Sequence, residues 1–242
     1  MTKSTIKFSS KANLDFVKEL RQKTNAYFKE NNISKQGNVN LVFKALFMIA
    51  LYFTPFVLMF TGWTSSVGLL LLGWAIMGLG MAGIGMVLMH DANHGSISKR
   101  SWVNKLLSKS MYVIGGYPAN WRHQHNNLHH GFTNIQDHDE DIDPVGIVRI
   151  SPHKPLHKIH RFQHIYAWFL YGLMTISWAS YRDFKQLFFY FKDDSFKLKK
   201  KSKALVFTDL TLAKVVYFGV FLVLPLIVLP QAWYWIILGF LI

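Results

Sequence analysis

Cysteine is absent from the 242 residues, which excludes thiolate metal ligands and disulfide staples alike. Acidic residues are scarce, 13 Asp and Glu against 27 Lys and Arg, for a formal charge of +14. Charge of either sign is missing altogether from Ala45 to Met89, and again from Val215 to Ile242. The first gap is long enough for two bilayer-spanning helices of about 20 residues each. That distribution argues against the single soluble domain that an apolar content of 51% would otherwise suit. A cleavable leader is not expected, because residues 1–44 are mostly polar and carry nine Lys or Arg without a short apolar core and cleavage site.

What is present explains the charge. Lys35 and Lys44 precede the first apolar run; Lys99, Arg100, Lys105 and Lys109 follow it; Lys197, Lys199, Lys200, Lys201 and Lys203 precede the last. Basic residues that flank apolar runs follow the positive-inside pattern and put these flanks in the cytoplasm, facing anionic headgroups. A nucleic-acid binder would instead concentrate them on a folded polar module, so no nucleic-acid partner is expected.

The expected fold is an all-α integral membrane protein, multi-pass, with two transmembrane hairpins, the second truncated, and a cytosolic helical histidine-rich section. Residues 1–42 form a cytosolic segment and 43–242 the membrane domain. Within the segment, residues 11–30 suit an amphipathic helix, with Phe16, Val17, Leu20, Tyr27 and Phe28 on one face, packed on its own domain or lying on lipid. Spans are expected at about 43–61, 67–89 and 211–229, with 231–242 opening a fourth. Gly73, Gly78, Gly80, Gly83 and Gly85 thin the second span and let a neighbour approach. Residues 165–180 are charge-free but short for a crossing, and suit a partly immersed helix.

All eleven histidines fall between residues 90 and 164. His90 and His94 stand four apart at the exit of the second span, on one face if the helix continues. His125 and His129 repeat the spacing, and His130 adds a third imidazole about 100° around the helix. Neutral imidazole binds iron, zinc, copper or nickel. Five clustered rings exceed what one zinc takes and suit paired iron. Asp91, Asn93 and Asn126 are placed to accept from ligand rings, or only to make local backbone contacts. His123 points away from His125 in a helix; His138, His153, His157, His160 and His164 are expected to face solvent or headgroups. Trp121 and Arg122 are expected to pack and orient the second histidine helix. An acidic knot, Asp137, Asp139, Glu140, Asp141 and Asp143, is closed by Pro144.

The segment His90-Asp91-Ala92-Asn93-His94 is similar to the first histidine box of the membrane fatty acid desaturases. His125-Asn126-Asn127-Leu128-His129-His130 resembles the second, with Trp121-Arg122-His123-Gln124 and Thr133-Asn134-Ile135 around it. The likeness is greatest to bacterial acyl-lipid or acyl-CoA desaturases of the front-end and linoleoyl-CoA type. The resemblance implies that His90, His94, His125, His129 and His130 ligate iron in a di-iron centre. It implies insertion of a cis double bond into an acyl chain of a membrane lipid or acyl-CoA. Dioxygen is then the co-substrate, and two electrons arrive from a separate protein, cytochrome b5 or ferredoxin. The membrane would be a bacterial inner membrane.

One departure is plain. The family carries a third box with a His-His pair, and no histidine follows His164. The chain is therefore expected to be C-terminally incomplete and to turn over little by itself. Three other readings stay open: a lipid or fatty-acyl hydroxylase with the same centre, a membrane zinc hydrolase with Asp91 assisting a bound water, and a non-enzymatic metal-binding membrane protein.

Overall fold

The computed structural model describes residues 6, 8, 14–142, 146–193, 195–196 and 202–242, and among them there is no strand. Among the described residues, three helices are long and apolar enough to cross a membrane: Val39–Met59, Val67–His94 and Lys203–Val228. Each begins at a polar cap. The side chain of Asn38 accepts from Leu41 N at 3.1 Å, Ser66 from Leu69 N at 3.2 Å and Ser202 from Leu205 N at 3.1 Å, satisfying amide groups that a helix start leaves open. These caps explain why the first span starts before residue 43 and the third well before 211.

The charges that argued for a later third span are paired. The Tyr117 hydroxyl donates to Asp209 Oδ2 at 2.9 Å. Lys214 Nζ donates to Asp183 Oδ2 at 2.6 Å, Gly115 O at 2.6 Å and Trp178 O at 3.0 Å. Gly115 has φ +79°, a turn that glycine adopts without strain, and its carbonyl is thereby aimed at the ammonium.

The first two spans form a hairpin whose backbones touch at Gly80, where a Cβ would lie 2.5 Å from Tyr52 N. Gly73 and Gly83 also face the first span, whereas Gly78 faces the end of the final helix, Trp233–Leu241, and Gly85 faces Ile114. A single core joins all three spans and the final helix. It runs from Phe56, Trp74 and Ile236 through Tyr52 and Phe221 to Met111 and Trp121. Large apolar side chains such as Leu79, Met86, Val216 and Ile227 remain on the outside, the surface that a lipid tail solvates.

On the polar side one expectation narrows, and the reading of the charge-free stretch as a helix that does not cross is kept. The amphipathic helix spans Leu14–Glu30 and buries none of its residues, so it does not pack into this domain; residues 11–13 lie outside the described set. The charge-free stretch becomes Gln163–Ser177, also without a buried residue, and continues through Trp178–Arg182 into Asp183–Lys192. It is not among the three helices suited to crossing. Asp143, Pro144, Lys197, Lys199, Lys200 and Lys201 lie outside the described residues.

Candidate metal centre

The second span carries its helix past the apolar stretch because nothing stops it before Gly95 (φ +73°). Just below the first histidine it widens into a π-turn, Ile84–Met89, and His90 N bonds to Gly85 O five residues back. One α-turn follows, His90–His94, and its two rings sit with centroids 4.5 Å apart. Gly95 N then bonds to Ala92 O and Ser96 N to Asp91 O, and Asn104 holds the following turn through Gly95 O, Ser98 O and Ser98 N.

The second cluster starts at Pro118, a proline in the first helical turn. From Arg122 to His129 the helix is wound as π, and His130 N bonds to His125 O at 3.0 Å. An α-helix would set residues five apart at about 140° to each other. Here His125 and His130 share a face, with Nε2 atoms 3.2 Å apart. The expected third ring is thus turned inward.

The two clusters converge. Between them, His90 lies 5.2 Å from His125, His94 lies 5.1 Å from His125, and His94 lies 4.9 Å from His130, centroid to centroid. His129 closes the set at 5.3 Å from His125 and 5.2 Å from His130. His90, His94 and His125 each offer one nitrogen, all within 4.8 Å of one another. Trp121 stacks on His125 at 4.3 Å. Burial, then the neighbouring imidazoles, push the His125 pKa down to about 4, so its lone pair is free at neutral pH. The donor set of crowded imidazoles, with two Nε2 atoms face to face, fits a borderline transition metal such as iron.

The three polar candidates divide. Asp91 Oδ1 lies 3.0 Å from His90 Nδ1. Asn93 and Asn126 instead tie the two histidine helices together: Arg122 donates to Asn93 Oδ1 at 3.1 Å and Asn126 Nδ2 to Asn93 O at 3.1 Å. Arg122 therefore bridges the helices while Trp121 backs the rings.

Residues not foreseen as part of the site appear behind His129. Its Nδ1 lies 3.0 Å from Asp139 Oδ1 and 3.2 Å from Asp141 Oδ2. The Asp139 side chain is wholly buried. Burial opposes its charge, but hydrogen bonds from Asn134 N, His129 and Asp141 N hold its carboxyl below the usual range. The sequence displays an acidic knot there, with no spacing that ties it to a histidine. The other histidines stay apart. His123 meets Ser195 Oγ at 3.2 Å and the Tyr190 ring at 4.5 Å. His138 and His160 are buried, against expectation: His138 packs on Phe132, and His160 Nδ1 accepts from His157 N while its Nε2 faces Gly146 O. His153, His157 and His164 are exposed.

The fold and the cluster define an all-helical membrane protein with a polyhistidine centre at one end of its spans. Residues 66–242 match the family described as fatty acid desaturase, and the chain belongs to that family. It is 34% identical over 179 residues to the sn-1 linoleoyl-lipid 6-desaturase of Arthrospira platensis, an alignment covering 74% of this chain and 48% of that protein. To the acyl-lipid (8-3)-desaturase of Physcomitrium patens it is 34% identical over 189 residues, 77% of this chain and 39% of the relative. To the sn-1 linoleoyl-lipid 6-desaturase of Synechocystis sp. it is 32% identical over 182 residues, 75% and 50% respectively. The chain spans half or less of the length of these relatives. No solved structure matches it.

Proposed function

We propose that the chain carries part of the active site of an oxygen-dependent acyl-lipid desaturase. His90, His94, His125, His129 and His130 would hold two iron ions. The observation that carries this reading is the convergence of five imidazoles from two separate helices. Paired iron, when bound, supplies the dioxygen chemistry that side chains lack.

The remaining residues do what a protein must do for such a centre. Asp91, on His90 Nδ1, fixes a ring orientation that leaves Nε2 for metal. Trp121 covers one face of His125 and keeps water from it. The Arg122–Asn93–Asn126 contacts lock the distance between the helices. Five imidazoles leave both iron shells unfilled; the balance of the ligands lies outside this set. The substrate would be an acyl chain of a membrane lipid, as in the names of the relatives, entering from the bilayer beside the spans. Electrons would come from a separate cytochrome b5 or ferredoxin. The basic flanks support a cytoplasmic histidine end, and the membrane would be a bacterial inner membrane.

Metal analysis of the chain purified in nanodiscs from iron-replete cells tests this. Wild type is expected to retain iron; His94→Ala and His125→Ala lose it with helicity unchanged. Stoichiometric zinc without iron would instead support the hydrolase reading and refute this one.

A further inference from the structure

We propose that Asp139 is a positioning residue: it orients His129 and fixes its tautomer, so that His129 presents Nε2 to the metal. The inference rests on the reading of His129 as a metal ligand and adds to it a residue that the histidine pattern does not contain.

The geometry is closed on every side. Asp139 Oδ1 accepts from Asp141 N at 3.0 Å, and Oδ2 accepts from Asn134 N at 2.8 Å. Both oxygens also face His129 Nδ1, at 3.0 and 3.2 Å. The carboxylate is therefore held by two backbone amides that can only donate. A proton on His129 Nδ1 completes the arrangement, and the lone pair is left on Nε2. A buried carboxylate of this kind is costly unless each oxygen is satisfied, and the His129 ring shares it with those amides. Asn134 supports the same end. Its backbone lies in the left-handed region (φ +62°), which turns its N–H toward Asp139. The first cluster repeats the pattern, with Asp91 on His90 Nδ1. One ring of each cluster is thus backed by a carboxylate.

Asp141 also approaches His129 Nδ1, at 3.2 Å, but is partly exposed and accepts from Gln124 at 2.5 Å. That leaves a rival explanation, a separate cation bound by His129, Asp139 and Asp141, which the experiment must distinguish.

The test is a double-mutant cycle on the chain in nanodiscs, titrated anaerobically with Co²⁺ and followed by its visible ligand-field bands. Asp139→Ala is expected to weaken Co²⁺ binding about 10- to 100-fold, the usual effect of removing a residue that orients a ligand. Its bands should match those of His129→Ala. Added to His129→Ala, the Asp139 change should cost nothing further, because it acts through that ring. A loss of similar size in both backgrounds, or none in either, overturns the proposal and leaves Asp139 as a loop anchor. Loss of one Co²⁺ equivalent on Asp139→Ala, with that equivalent retained in His94→Ala, overturns it in favour of the separate cation. A wild-type chain that binds no Co²⁺ overturns the metal reading and this inference together.

Discussion

Lys214 would be the most expensive side chain in the third span without its partners. It has three acceptors, and Asp183 beside it is wholly buried. Removing one member of such a pair leaves an uncompensated charge, which costs about 3–5 kcal/mol. Lys214→Met is expected to destabilise the detergent-solubilised chain by that amount in thermal or chemical unfolding, and Lys214→Met with Asp183→Asn by clearly less. Equal losses in the single and double variants would refute the pairing argument. The sequence displayed Lys214 as an anomaly in an apolar run and could not display its partner 31 residues away. It displayed His90, His94, His125, His129 and His130 as two local patterns, but Asp139, ten residues beyond His129, is joined to it by a loop whose path no periodicity encodes.

At the scale of elements, the histidine helices depart from α geometry where it matters. A five-residue register brings His130 onto the His125 face; a one-residue excess in a helix commonly produces such a π-turn, frequently at functional sites. Insertion of one alanine after Asn127 is expected to swing His130 off the His125 face and weaken Co²⁺ binding while far-ultraviolet circular dichroism stays constant. Retained binding would show that the winding is incidental. The same register is why a reading by α periodicity put His130 to one side. The hairpin was more legible. Its glycines announced close approach, and Gly80 makes it. Gly80→Val is expected to wedge the first two spans apart at a cost of about 1–3 kcal/mol, read as a lower unfolding midpoint.

Over the whole molecule, three apolar spans hold the polar histidine section at one end. The spans were legible because lipid demands long uncharged helices. The polar section was not, because turns, 3₁₀ segments and buried histidines such as His138 and His160 obey tertiary contacts rather than a repeat. The absence of cysteine makes the proposed orientation directly measurable. Single cysteines at exposed Ser34 and Lys99 are expected to react with an impermeant thiol reagent from the cytoplasmic side, and one at Thr61 from the opposite side. Labelling of Thr61→Cys from the same side as the other two would contradict the hairpin arrangement.

The most direct test is iron K-edge absorption on the anaerobically Fe²⁺-loaded chain. Imidazole multiple scattering is predicted in the wild type, with fewer rings per iron in His129→Ala and His130→Ala. An aquo-ion spectrum, or one that those substitutions leave unchanged, would mean that the five rings meet without holding iron.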